Sequence, residues 1–362
     1  NQNAGTNSYN VAVGYQAGIS VTTGINNTLI GGLAGDALTT GGGNVAIGLN
    51  ALGAEDTGSD SVAIGRSALL NQNYNGSAYN IAIGRDAGQS VTTGVTNTII
   101  GGLAGDSLTT SSGNVAIGYN SLSSEDTGGR NTAIGWGTLS NLDVGSNAYN
   151  TAIGYNAGND MTTALQSVVI GSFAGDAITT GSYNIAVGYN ALTAETGGNR
   201  NTAIGYFALS SQNKGSGDAN NVAVGHSAGQ SISTGTQNVI IGNVAGDALT
   251  TGSNNTVIGY SAAASAVDVN NEITLGNTGV SALRCQVTSI SSLSDKRDKK
   301  DIKDSTYGLD FIDSLKPVTF EWDRRDGAKK DVKDIGFVAQ DLQEVDDEYT
   351  RLVYESNPDK LE

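Results

Sequence analysis

Adjacent carboxylates at Glu55/Asp56, and again at Glu125/Asp126, are the residue types that split glycosidic bonds, one as acid and the other as nucleophile or base. The pairs stand in equivalent loops with Glu195 as a reduced third copy, whereas an active site is normally built once. They therefore read as solvated turn residues. Asp36, Asp106, Asp176 and Asp247 share one recurring slot, A-G-D-x-[LI]-T-T. A calcium ladder there would need several oxygen ligands per ion, and the slot supplies a single carboxylate. An Asx-turn or local cap is the expectation, without a metal. His226 is the sole histidine and has no partner motif, and Cys285 is the sole cysteine, which excludes an intrachain disulfide and reads as a small buried hydrophobe. Phosphate-cradling and dinucleotide glycine signatures, zinc clusters and nucleophile elbows are all missing, so residues 1–293 predict neither a cofactor nor conventional catalysis.

The elements that carry these residues are set by a repeat. Asn-x-Ala-Ile-Gly, or a near copy, closes on Gly14, Gly31, Gly48, Gly65 and Gly84, and so on to Gly259, with successive gaps of 17, 17, 17 and 19 residues that then recur. Fifteen such coils group into super-repeats of about 70 residues, the signature of a structural solenoid. In Asn44-Val45-Ala46-Ile47-Gly48 the three residues between Asn and Gly are too few for a helix and enough for one short strand. Alternation points Ala46 to one face and Val45 and Ile47 to the other. The Ala position becomes Leu29, Ile99, Val169 and Ile240 in the second coil of each super-repeat, so that face must widen every fourth layer.

Asn stands four residues before the glycine in 13 of 15 coils, with Ser61 and Ser167 in the others, and predicts an amide ladder through the stack. Each coil has room for two short strands and two turns. At ~4.8 Å per layer the array predicts a rod of roughly 70 Å. Such a thin roll leaves one apolar face uncovered, and burial against copies of itself is the simplest remedy.

Composition narrows the partners. Residues 1–293 carry 6 Lys/Arg against 16 Asp/Glu, a poor electrostatic match for nucleic acid or anionic membranes. No apolar run approaches the ~20 residues that span a bilayer, so no membrane insertion is expected. The chain begins at Asn1 and reads as a fragment. Residues 69–79, 139–149 and 209–220 carry the insertions and would align along one edge of the rod. Their Asn71, Tyr74, Tyr79, Asn141, Tyr149, Asn213 and Lys214 are candidate receptor-binding residues, because exposed amides and tyrosines suit glycan or protein contacts. Tyr15, Tyr119, Trp136, Tyr155, Tyr189, Tyr206 and Tyr260 directly follow the repeat glycine and are expected to cover the solenoid rather than bind sugar.

The phrase N-x-A-I-G-x-x-A resembles the head repeats of YadA-type trimeric autotransporter adhesins, and similar repeats occur in phage tail fibres. The resemblance covers residues 1–262. It implies a left-handed parallel β-roll and a homotrimer.

Residues 263–293 read as a β stem or transition, with a degenerate last strand near Glu272–Gly276. From Ser294 the charge rises, the glycine rhythm disappears, and a small α/β module begins. Tyr307–Leu315 reads as a short helix stopped by Pro317, and 318–322 and 335–339 read as strands.

Three stretches, S-D-x-R-x-K from Ser294, L-K-P-V-x-F-x-W from Leu315 and G-F-V-A-Q-D-L-Q-E-V from Gly336, resemble the C-terminal intramolecular chaperone of phage endosialidases, tailspikes and tail fibres. That resemblance implies a module at 294–362 that trimerises the preceding fibre and then cuts itself off. It makes Ser294 the nucleophile, Lys299 the general base and Leu293–Ser294 the scissile bond. Members of that family continue into a long C-terminal helix, so the module is expected to be incomplete at Glu362.

The chemistry is sound: a lysine takes a serine proton once burial lowers its pKa, and a chain cutting itself needs no substrate site. The pairing with this rod also has a reason. Coils one repeat apart are nearly interchangeable, so a trimeric nucleus prevents chains from associating out of register. The expectation is a viral tail-fibre segment for host attachment, assembled in the host cytoplasm and carried in the virion beside other tail proteins. A bacterial trimeric adhesin and a glycan-depolymerising tailspike are the alternatives.

Overall fold

The computed structural model describes residues 7–283, 308–323 and 330–344. The chain divides into two units, Asn1–Leu283 and Arg284–Glu362. In the first, sixteen three-residue strands, from Val11–Val13 to Ile273–Leu275, form one parallel sheet in chain order, a β-solenoid. The register is one coil per layer: Val45 faces Val62, Ala46 faces Ala63 and Ile47 faces Ile64. The expected degenerate strand at Ile273–Leu275 joins as the sixteenth, paired with Thr256–Ile258.

Layer spacing explains the invariant glycine. Gly48 has φ +136°, and a Cβ there would lie 2.5 Å from the carbonyl oxygen of Gly65. Both the backbone angle and the close approach demand the smallest residue.

Each coil contains one strand rather than the expected two. After the glycine the chain passes through left-handed residues such as Asn50 (φ 58°), Leu52 (φ 53°) and Asp60 (φ 59°), which bend it too tightly for a second strand. Turn backbone makes the inter-coil bonds there instead: the Leu52 N–H donates to the Ala68 carbonyl at 3.0 Å and the Ala54 N–H to Leu70 at 2.9 Å. A two-residue pairing of Gly198–Asn199 with Gly217–Asp218 and a bridge between Ser59 and Ser77 are the exceptions among the described residues.

The core is a single column. Ala46, Ala63 and Ala82 point inward with no exposure, and the wide layers are filled by Leu29, Ile99, Val169 and Ile240, with Val257 as a fifth. The opposite wall comes from turn residues such as Ala51, Leu52 and Leu38, all fully buried. The alternate strand residues face outward: Ile153 is 36% exposed, Ile30 37% and Ile204 39%.

The amide ladder is present. Asn44 sends its Nδ2 to the Gly58 carbonyl at 2.8 Å while its Oδ1 accepts the N–H of Ser61 at 3.0 Å, bracketing the turn of the next coil. In the last coil Glu272 occupies the Asn slot. Its N–H still reaches Asn255 Oδ1 at 2.9 Å, but its carboxylate folds back onto Ser265 and Thr274, and the ladder ends.

In the second unit, a helix at Leu309–Ser314 precedes an antiparallel hairpin of Val318–Asp323 with Lys330–Gly336, then a helix at Ala339–Gln343. The second strand thus lies upstream of the expected 335–339, because Lys330–Gly336 pairs in register across from residues 318–323 and Val338 already caps a helix. Among the described residues no helix is long and apolar enough to cross a membrane.

Candidate functional site

The three inserted loops share one frame, and its anchor corrects the reading of the carboxylate pairs. Glu55, Glu125 and Glu195 are fully buried, not solvated, whereas Asp56 is half-buried and Asp126 exposed, as turn residues. Each turns its carboxylate inward to collect main-chain N–H groups from its own turn and from the longer loop of the next coil. Glu55 Oε1 accepts the Gly58 N–H at 2.7 Å, and its Oε2 accepts the Tyr74 N–H at 3.2 Å and Gln72 Nε2 at 3.1 Å. Glu125 accepts from Gly128 at 2.6 Å and Val144 at 3.3 Å, and Glu195 from Gly198 at 2.7 Å and Lys214 at 3.1 Å. The lengthened loops have no strand ladder to satisfy these donors, and a buried carboxylate does so. Burial pushes the Glu125 carboxyl above its ordinary value, the donated N–H groups of Gly128 and Val144 oppose this, and the nearby Asp143 and Asp126 charges add to it.

Glutamates at this slot followed three residues later by glycine occur only in the coil before each insertion, at Glu55/Gly58, Glu125/Gly128 and Glu195/Gly198. That spacing was the available signal. A second tie lies five residues before the repeat glycine: Asp60 accepts from Ser77 Oγ at 2.6 Å, Arg130 donates to the Tyr149 hydroxyl at 2.6 Å, and Arg200 pairs with Asp218.

On this frame the candidate receptor residues point outward. Asn71, Asn141, Asn213 and Lys214 are exposed, Tyr79 and Tyr149 are 60% and 48% exposed, and Tyr74 is half-buried. Asn141 Nδ2 reaches Asp160 at 3.3 Å, and Thr196 Oγ1 donates to Asn213 at 3.1 Å. Residues within one loop come together, while successive loops stand four layers apart, about 19 Å.

Asp36, Asp106 and Asp176 are half-buried and Asp247 is exposed. The Asp106 and Asp176 carboxyls are raised, first by burial and further by Asp86 and Asp160 respectively, and they lie against the N–H groups of Ser107 and Ala177. At these two positions the expected local cap is partial: Asp106 Oδ1 has no hydrogen-bond partner, and Asp176 also accepts from the Thr193 hydroxyl. Glu125, Asp126 and Asp143 place carboxylate oxygens within 4.8 Å of one another, but Glu125 is already committed to main-chain donors.

From Tyr119 to Tyr206 the residues after the repeat glycine lie over the surface in a row, whereas Tyr15 and Tyr260 stand outside it, 74% and 67% exposed. Tyr119 stacks on Trp136 at 6.1 Å, Trp136 on Tyr155 at 5.0 Å, Tyr189 on Tyr206 at 5.4 Å and Tyr206 on His226 at 5.0 Å. Phe173 fills the gap left by Ser172, edge-on to Tyr155 and Tyr189. Stacked rings occupy one another's faces, so the row offers mainly edges to solvent and little to a sugar ring. It borders the column of outward Ile and Val residues that runs the length of the sheet, roughly 75 Å, while in earlier coils the row's position is held by the charged Arg66 and Arg85.

Leu293, Ser294 and Lys299, like Cys285, lie outside the described residues. Residues 294–353 match the family described as the chaperone of endosialidase. No curated protein and no solved structure matches the chain.

Proposed function

We propose that this chain is a segment of a homotrimeric tail-fibre or tailspike-like protein, in which residues 294–362 align three copies of the rod and are then released by cleavage between Leu293 and Ser294. The observation that carries the reading is the junction of two parts: a repeat rod that ends chemically at Glu272 and, downstream, a match to the endosialidase chaperone. The rod supplies what such a chaperone acts upon. Its outward face carries exposed aliphatic residues in layers along its length, such as Ile30, Ile153, Ile204 and Ile241, a surface that packing against further copies would bury. Each layer of that face is also nearly identical to the next, so correct alignment needs an external reference.

In the cleavage step Lys299 takes the Ser294 hydroxyl proton, Ser294 Oγ attacks the Leu293 carbonyl carbon, and the Leu293–Ser294 C–N bond breaks as the amine collects the proton. Water then hydrolyses the ester to free Leu293. The three clasped loops, with Asn71, Tyr74, Tyr79, Asn141, Tyr149, Asn213 and Lys214 at their tips, are the surface that meets a host receptor, in virions assembled inside the host cell.

Intact-mass measurement tests the processing. Two fragments divided after Leu293 support it. An unprocessed chain, identical to Ser294→Ala, refutes it. Release of reducing sugar ends from host polysaccharide would contradict a non-catalytic rod.

A further inference from the structure

Asn75-Gly76 is the single Asn-Gly step in this Asn-rich chain. It sits at the tip of the first inserted loop, with Asn75 exposed and Gly76 at φ +151°. The ladder asparagines are the opposite case. Asn80, two coils' worth of hydrogen bonds around it, is fully buried, gives its Nδ2 to Gln72 and Gly94, and accepts the Asn97 N–H. Other exposed loop asparagines precede side chains that crowd the following nitrogen: Asn71 precedes Gln72, Asn73 precedes Tyr74, and Asn213 precedes Lys214. Only at Asn75 is the next main-chain nitrogen carried by a residue without a Cβ.

We propose that Asn75 is a site of spontaneous covalent modification, in which Gly76 N displaces the side-chain amide. A bond forms between Gly76 N and Asn75 Cγ, the Cγ–Nδ2 bond breaks, and Nδ2 leaves as ammonia with the proton from Gly76 N. Water then opens the resulting five-membered imide at either carbonyl, giving aspartate or isoaspartate. The reaction is intramolecular, and proximity supplies its rate. Thr57 Oγ1 lies 3.4 Å from Asn75 Oδ1 and polarises the carbonyl that is attacked. The Gly76 N–H is held by the Tyr74 carbonyl at 2.9 Å, a bond that must open first and makes the folded loop slower than an open peptide.

The product changes this loop alone. Isoaspartate lengthens the main chain where the Gly76 carbonyl accepts the Ser59 N–H at 2.9 Å and Ser77 bridges Ser59. Either product adds a carboxylate near Asp60, which already holds Ser77. The second and third loops carry Gly145-Ser146 and Gly215-Ser216 instead and stay unmodified. The chemistry stands on the loop geometry; its effect on attachment rests on the receptor-facing reading above.

Peptide mapping of the full chain after ageing in mildly alkaline buffer tests the site. The amide-to-acid mass shift is expected at residue 75, as a split pair of aspartate and isoaspartate peptides, several-fold slower in Gly76→Ala and abolished in Asn75→Gln, which keeps the glycine. A shift spread equally over Asn71, Asn73 and residue 75, or none while an unfolded control reacts, overturns it. Normal attachment by Asn75→Asp alongside a clear mass shift would sink the receptor role of the loop and leave the modification standing.

Discussion

The amide of Asn184 spans the turn of the following coil, giving Nδ2 to the Gly198 carbonyl at 2.8 Å and accepting the Asn201 N–H on Oδ1 at 2.9 Å. Both main-chain groups are buried, so the side chain substitutes for water that cannot enter. Asn184→Ala strands a donor and an acceptor, at about 1–3 kcal/mol each. Because a repeat array opens locally, hydrogen exchange is the appropriate measurement. Protection should fall around residues 184–201 and stay unchanged several coils away.

Two glycines predict opposite outcomes. At Gly118, φ is +132° and a Cβ would lie 2.2 Å from the Gly135 carbonyl oxygen, so Gly118→Ala forces adjacent layers apart. At Gly102 the nearest contact is Tyr119 Cδ2 at 3.6 Å, an ordinary distance. Gly102→Ala is expected to melt with the parent protein, and Gly118→Ala well below it.

The buried and capping glutamates respond to pH with opposite signs. Glu125 is raised above the ordinary glutamate value, so the folded state holds the proton more tightly; its neighbourhood gains stability as pH falls through the raised value and loses it as pH rises. Glu272 is lowered from the ordinary glutamate value, first by the Ser265 hydroxyl, so its contribution is present above that ordinary value and disappears as pH falls through the lowered one. Exchange protection at Val144 should therefore strengthen on mild acidification, whereas that at Ser265 should hold until more acidic pH and then weaken. Parallel pH profiles for the two sites would contradict the assignment.

The outward face predicts an association phenotype without unfolding. Ile153 is 36% exposed, so Ile153→Asp leaves the solenoid's own core intact and places a charge where another copy would pack. The expected result is unchanged far-ultraviolet circular dichroism with a lower sedimentation coefficient. Loss of both signals together would place Ile153 in the protomer's own core.

Much of the rod was legible because a single period governs it. The glycine spacing marked each layer, alternation at Val45-Ala46-Ile47 separated core from surface, and Asn44 announced the ladder. The absence of a second strand is not legible because ordinary residues, Leu52 among them, adopt left-handed backbone, which their side chains do not advertise. The burial of Glu55 is hidden for a related reason: a carboxylate in a polar turn looks solvated until the loop of the next coil folds over it. The aromatic row was visible as a column of residues, but its stacking depends on ring orientation, which spacing alone does not carry.

Native mass spectrometry of the full chain tests the central claim most directly, since it reads copy number and processing together. The account predicts three copies of the rod, each ending at Leu293, with the segment from Ser294 released and with release blocked in Ser294→Ala. A single intact copy of the chain, unaffected by that substitution, would contradict it.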